Sequence, residues 1–305
     1  MFSHLLVPLD GSQAAETAVP VAAWLAEKAA ARVTLLHVIE RHAKAEVHGQ
    51  RHLTEAAEAE RCLQQIARER FSPGTAVDWH VHTEQIDQVA QSVAEHAKEL
   101  TPDLIVMLSH GERRLAHRLF GTIPQQIVRR TLTPILLLHP DAAGRVAMPF
   151  RRIVVPLDGR EEHESVLVPS ADIARLCGAE LRLVMIVPRL GEVEGDHAAA
   201  AQLLPAATTA MLDIAERGGV DYLAQLVARL RGQGLACSAA VARGNPLKTL
   251  SELIEKEGAD LVAMGTHGAA GAEAFWSGSL GQKLIDRTAA SFLLSYAREA
   301  TDQKS

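Results

Sequence analysis

The sequence has little that would assign it to a membrane, a nucleic acid or an oxidising compartment. No apolar run approaches the ~20 residues a helix needs to span a bilayer. Basic residues do not predominate: 31 Lys and Arg face 37 Asp and Glu, and the net charge of −6 is spread over both halves. Without a basic field to neutralise phosphates along a strand, nucleic acid is not expected as a partner. Only three cysteines occur, Cys62, Cys177 and Cys237, and none has CxxC spacing. They suit a reducing compartment, where buried thiols behave as small hydrophobes. The N-terminus enters an apolar strand with no basic stretch and cleavable apolar segment before it, so a soluble cytoplasmic protein without membrane partners is expected. Catalytic signatures are missing as well. Without HExxH, GxSxG or GxxxxGK[ST], neither a zinc hydrolase, a serine hydrolase elbow nor a Walker-type ATPase is indicated.

What is present is a repeat. His4-Leu-Leu-Val-Pro-Leu-Asp10-Gly11 returns as Arg152-Ile-Val-Val-Pro-Leu-Asp158-Gly159, an offset of 148. Leu104-Ile-Val-Met-Leu-Ser-His110-Gly111 returns as Leu261-Val-Ala-Met-Gly-Thr-His267-Gly268, and Gly121-Thr122 as Gly278-Ser279, both at 157. The second copy therefore carries about nine extra residues, which we place at the acidic, alanine-rich Gly191–Ala200. The 305 residues divide into domains at 1–145 and 150–298, joined where Pro, Gly and Ala interrupt the apolar pattern.

Short apolar runs alternate with helical patterns in each half. Strands are expected at Leu5–Leu9, Val33–Val38, Val77–Val81, Leu104–Met107 and Ile135–Leu138. They recur at Ile153–Leu157, Leu181–Val187, Cys237–Val241, Leu261–Met264 and Phe292–Ser295. Helical faces are formed by Ala59, Leu63 and Ile66, by Ile86, Val89, Val93 and Ala97, and by Leu247, Leu250 and Ile254. Pro124 and Pro246 fall just inside helix starts, whereas Pro20 either kinks an Ala14–Ala31 helix or marks a later start. Strand–helix alternation implies right-handed crossovers and parallel sheets, hence two tandem doubly wound α/β domains.

The stretch Leu261–Ser279 combines a buried strand, a glycine turn and a helix start carrying a hydroxyl. Those parts can hold phosphate through backbone N–H groups and the positive end of a helix dipole. Its G-x2-G-x9-G-S spacing, at Gly265, Gly268, Gly278 and Ser279, resembles the nucleotide signature of the universal stress protein family. The resemblance covers nearly the whole chain and implies a tandem UspA-like member. It also implies a Rossmann-like fold, similar to adenine nucleotide alpha hydrolases, with five parallel strands in the order 3-2-1-4-5 in each domain. Ligand would then lie at the carboxyl ends of strands 1 and 4, where the order reverses.

By that resemblance the second half binds ATP or a related adenine nucleotide, with or without Mg2+, through Pro156, Asp158, Ile186, Gly265, Gly268, Gly278 and Ser279. Val241–Pro246 resembles the family's G-x-P turn, with Arg243 as a phosphate neighbour. The first half departs from the signature: Leu108 replaces the first glycine and Thr83-Glu84-Gln85 replaces the G-x-P turn. Asp10, Val38, Gly111, Gly121 and Thr122 remain there as a weaker or lost site.

Eleven of the 14 histidines lie in the first half. His80 and His82 alternate on one strand, and His42, His48 and His52 lie on a loop and helix start. We read them as solvated surface residues, with adventitious metal binding the lesser reading, and expect no metal site. His110 and His267 are read as turn residues, and Arg113, Arg114, Arg118, Arg129 and Arg130 as a solvated face. No catalytic residue is assigned. The expectation is a regulatory stress-response protein, not a turnover enzyme, with no redox cofactor. Its two domains are expected to form an intramolecular pseudo-dimer, with edges at Ile135–Leu138 and Phe292–Ser295, and homodimerisation is left open. A slow ATP hydrolase and a scaffold that binds no nucleotide are the alternatives.

Overall fold

A computed structural model describes residues 1–41, 46–47, 50–51, 53–109, 122–141, 143–193, 197–266 and 280–296. Its chain falls into two compact units, one built on the described residues of 1–148 and the other on those of 149–266 and 280–290; residues 291–296 group with the first.

In the first unit, β1 (His4–Pro8) leads through α1 (Gln13–Glu16) and α2 (Ala18–Ala29) to β2 (Arg32–Glu40). A small antiparallel pair, β3 (Glu46–Val47) and β4 (Gln50–Arg51), precedes α3 (Ala56–Arg70) and β5 (Val77–Ile86). Then come α4 (Val89–Leu100), β6 (Leu104–Leu108), α5 (Thr122–Arg130) and β7 (Ile135–Leu138). The sheet runs β5-β2-β1-β6-β7 with every one of these pairings parallel, the order 3-2-1-4-5. Leu5, Leu6, Val7, Leu104, Ile105 and Val106 have no exposed surface, as central strands covered by helices on both faces require.

In the second unit, β8 (Arg152–Pro156) is followed by a 3-10 turn (Glu161–Val166), α6 (Leu167–Cys177) and β9 (Glu180–Val187). A second 3-10 turn (Leu190–Glu192), α7 (His197–Leu203) and α8 (Pro205–Gly232) lead to β10 (Cys237–Arg243), α9 (Pro246–Glu257), β11 (Leu261–Thr266) and α10 (Leu280–Arg287). The order β10-β9-β8-β11 repeats 3-2-1-4 with parallel pairs. The fifth strand of this half, β12 (Ser291–Tyr296), groups with the first unit, where Phe292 pairs antiparallel with Leu137 and Leu294 with Ile135.

Most elements fall where the apolar pattern puts them, and the differences have physical causes. The 14–31 segment breaks at Thr17, so Pro20 lies in the first turn of α2, where an N–H has no intrahelical partner to lose. Ile86 ends β5 and does not begin a helix; its partner is Glu40, past an irregularity in the β2 ladder. β5 is polar and largely exposed because it is an edge strand, not one buried on both faces. All three thiols are free, and burial pushes Cys177 and Cys237 up to about 11.

A repeated carboxylate staples the amino ends of strands 1 and 4 in each half. Asp103 Oδ2 accepts from Ser3 N and Ser3 Oγ, both at 2.6 Å, and from His4 N at 2.9 Å. Asp260 Oδ2 accepts from Arg151 N at 2.7 Å and Arg152 N at 3.1 Å. Burial pushes the Asp103 carboxyl up, but the hydrogen bonds from Ser3 and His4 outweigh it and leave it below 3.8. A depressed folded value means the stabilisation is present above the unfolded value and is lost as pH falls through the folded one. Asp103→Ala should therefore cost about 1–2 kcal/mol at pH 7, given partly exposed bonds to a charged acceptor. In urea unfolding across pH, its deficit against the parent should shrink below 3.8.

Candidate functional site

At the carboxyl end of β8 the chain turns at Asp158-Gly159, and Gly159 has a φ of +86°, a conformation that side chains with a Cβ rarely adopt. The turn brings the 3-10 segment back over the sheet end. Asp158 Oδ1 then accepts from Arg160 N at 3.1 Å and from His163 Nδ1 at 2.7 Å. Burial raises the Asp158 carboxyl, but the His163 hydrogen bond and charge, with a smaller contribution from Arg160, outweigh it and hold the group below its ordinary value. Because the ionised carboxylate can only accept, His163 Nδ1 carries the proton in this pair.

Gly265, near the end of β11, lies directly beneath His163. A Cβ added there would sit 3.2 Å from His163 Cα and 3.3 Å from its carbonyl oxygen, tighter than ordinary packing. Gly265 is absent from the positive-φ glycines, so its requirement is space and not torsion. On the far side, Asn245 caps α9 by accepting from Lys248 N at 3.1 Å, and Pro246 occupies the first helical position.

These elements enclose a cavity of about 380 Å³ within the second unit. Its walls are Pro156, Leu157, Val184, Ile186, Leu247, Leu250 and Leu280; its polar groups are Asp158, His163, Asn245 and Lys283. Pro156, Asp158, Ile186 and Gly265 all line it, whereas Gly268, Gly278 and Ser279 lie outside the described residues, as do His110 and His267. Arg243 does not line it. Its guanidinium is held by Glu216 at 2.8 Å and Asp213 at 2.6 Å, both on α8. Lys283 and His163 belong to no motif in the sequence, and only comparison with the first copy marks them. Each stands where the first copy has a residue without a titratable side chain, Gln126 and Ala15 respectively.

The first half answers the same geometry differently. Asp10 Oδ1 accepts from Ser12 N at 2.9 Å and Ser12 Oγ at 2.6 Å, so a hydroxyl does what His163 does in the second copy. Leu108 fills the position of Gly265 and is buried, and Ala15 is buried at the position of His163. Bulk on the strand is exchanged for bulk on the turn. Val38 is buried at the end of β2, and the neighbouring His37 ring bridges the Leu9 and Leu53 carbonyls at 2.8 and 3.0 Å. Leu53 is thereby pinned over Gly11, where an added Cβ would collide with it. Thr122 opens α5, and Gly111 and Gly121 lie outside the described residues.

The model of the universal stress protein family matches the chain twice, over residues 1–139 and 149–294. A universal stress protein from Archaeoglobus fulgidus DSM 4304 is similar over 97% of this chain and 98% of its own, at 15% identity and a TM-score of 0.68. A functionally unknown protein from Pseudomonas aeruginosa PAO1 is similar over 97% and 93%, at 18% identity and a TM-score of 0.65. At these identities the two structures speak for the fold.

The close approach at Gly265 has a measurable consequence. Gly265→Ala should lower stability by about 1–3 kcal/mol, the usual cost of overpacking, because the neighbouring atoms are backbone. Unfolding followed by circular dichroism and Trp fluorescence would measure it. An unchanged midpoint would mean that the turn yields freely.

Proposed function

The chain belongs to the universal stress protein family, and from that premise we propose that its second half binds ATP or a related adenine nucleotide, as a regulatory stress-response protein and not a turnover enzyme. The observation that carries this reading is the cavity at the carboxyl ends of β8 and β11, where an apolar wall, a carboxylate and an ammonium group converge. Pro156, Val184, Ile186 and Leu250 offer an apolar surface suited to a base. Asp158 keeps acceptor capacity for ribose hydroxyls after its two internal bonds, since an ionised carboxylate has about four lone-pair sites. Lys283 supplies a positive charge for phosphate in the first turn of α10, close to Gly278 and Ser279 in sequence. A carboxyl group held below its ordinary value is a weak general base at neutral pH, which supports binding over turnover.

Slow hydrolysis is the second reading, favoured by one arrangement. His163 lines the cavity and donates Nδ1–H to a carboxylate, the pairing that orients a general-base imidazole in hydrolases. Phosphate release abolished by His163→Gln with ATP affinity retained would select it.

Calorimetric titration of ATP and of adenosine, each with and without Mg2+, tests the binding reading. A hydrogen bond to a charged group contributes roughly 1.5–3 kcal/mol, so Lys283→Ala should weaken ATP roughly tenfold to hundredfold. Adenosine affinity should be unchanged by that variant, and Gln126→Ala should alter neither. Equal ATP affinity in the parent and Lys283→Ala proteins would contradict the assignment.

A further inference from the structure

The most concentrated metal-ligating chemistry among the described residues lies in the first unit, away from the cavity. On β5, His80 and His82 are two residues apart and so project from the same face. α4 packs back against β2, the strand next to β5, and brings His96 to that face. His82 Nδ1 lies 3.1 Å from His96 Nε2, and the His80 and His96 ring centroids are 4.6 Å apart. One ring nitrogen from each of the three residues falls within 4.8 Å of the other two. His96 Nδ1 in turn lies 3.4 Å from Glu99 Oε2, one helical turn further on.

We propose that His80, His82 and His96 form a binding site for a late first-row divalent cation of the zinc class. Imidazole nitrogens without thiolate or a carboxylate in the inner set suit zinc, copper or nickel and are poor ligands for magnesium or calcium. Zinc–nitrogen bonds of about 2.0–2.1 Å in a tetrahedron put ligand nitrogens about 3.3 Å apart. The His82–His96 pair is close to that spacing already, and His80, on the exposed edge of β5, closes the triangle by side-chain rotation. Glu99 is placed to accept from His96 Nδ1–H, which turns the Nε2 lone pair toward the other two rings. Metal-bound histidines are commonly oriented by such a carboxylate. Three protein ligands leave a fourth position for water or another small ligand, and exposed His80 gives it access from solvent.

The repeat supplies the control that a single domain lacks. The strand registers align Leu36 with Val184 and Val38 with Ile186, so their β5 and β10 partners correspond: His80 to Ala240 and His82 to Ala242. α4 and α9 both end on a left-handed cap, Thr101 and Gly258, which aligns His96 with Leu253 and Glu99 with Lys256. The same architecture is therefore built in the second half from two alanines, a leucine and a lysine. Nothing in the fold asks for imidazoles here, yet the first half gathers three of them and a carboxylate.

The test uses the full chain, free of any affinity tag and stripped with a chelator, titrated with Zn2+ and separately with Co2+. One saturable zinc per chain is expected, together with the visible absorption of four-coordinate cobalt. His80→Ala, at an exposed position that should leave folding intact, is expected to weaken zinc at least tenfold. Glu99→Gln should weaken it roughly tenfold to hundredfold, the range for loss of such an orienting partner. The triple variant His80→Ala, His82→Ala, His96→Leu installs the side chains of the second half; it should keep the parent's circular dichroism and bind no zinc at this stoichiometry. Zinc binding that is absent in the parent, or that His80→Ala and the triple variant leave unchanged, would overturn the proposal.

Discussion

The second half depends on one close approach, the packing of the His163 backbone onto Gly265. A β-carbon on β11 would meet that backbone at 3.2–3.3 Å. Because the glycine has none, the 3-10 turn settles against the strand end, and the His163 ring reaches Asp158 at 2.7 Å. That hydrogen bond fixes the carboxylate at the floor of the cavity and, with Arg160, keeps it ionised against the cost of burial. The apolar wall from β8 and β9 and the cation from α10 then face the same space.

The first half satisfies the same packing requirement by the opposite choice. Leu108 supplies volume from the strand, Ala15 yields it on the helix, and Ser12 replaces the imidazole as the donor to Asp10. Protein interiors tolerate such exchanges when total volume is kept. Leu53, held by His37 over the Asp10-Gly11 turn, adds bulk above that strand end. The two copies thus keep one fold while differing at the carboxyl ends of strands 1 and 4. They differ again on β5 and α4, where three histidines in one copy stand against alanine and leucine in the other.

The sheets were readable because central parallel strands must be apolar on both faces, so β1, β6, β8 and β11 stand out as runs. Repetition of Pro-Leu-Asp-Gly located the strand 1 turns directly, and the positive φ of Gly11 and Gly159 explains why glycine follows the aspartate in each. β5 extends beyond the apolar run Val77–Val81 because an edge strand is polar, and its last residue, Ile86, keeps helical spacing with Val93 by coincidence. In the cavity, Pro156, Asp158, Ile186 and Gly265 could be proposed from a family signature. Lys283 and His163 stand out only against the first copy, which has Gln126 and Ala15 there, since a lysine on a helix and a histidine after a turn carry no pattern of their own. Arg243 suits phosphate in sequence alone because the α8 carboxylates that hold it, 27 and 30 residues earlier, are invisible as partners there. The cluster at His80, His82 and His96 needed the packing of α4 to appear at all.

If the exchange at Gly265 and Leu108 separates the two copies as proposed, a chain with two copies of the fold carries one nucleotide site. Equilibrium dialysis of the purified chain against labelled ATP counts those sites directly. One per chain is expected, lost in Asp158→Ala and retained in Asp10→Ala. Two sites per chain, or a single site that survives Asp158→Ala and disappears in Asp10→Ala, would contradict it.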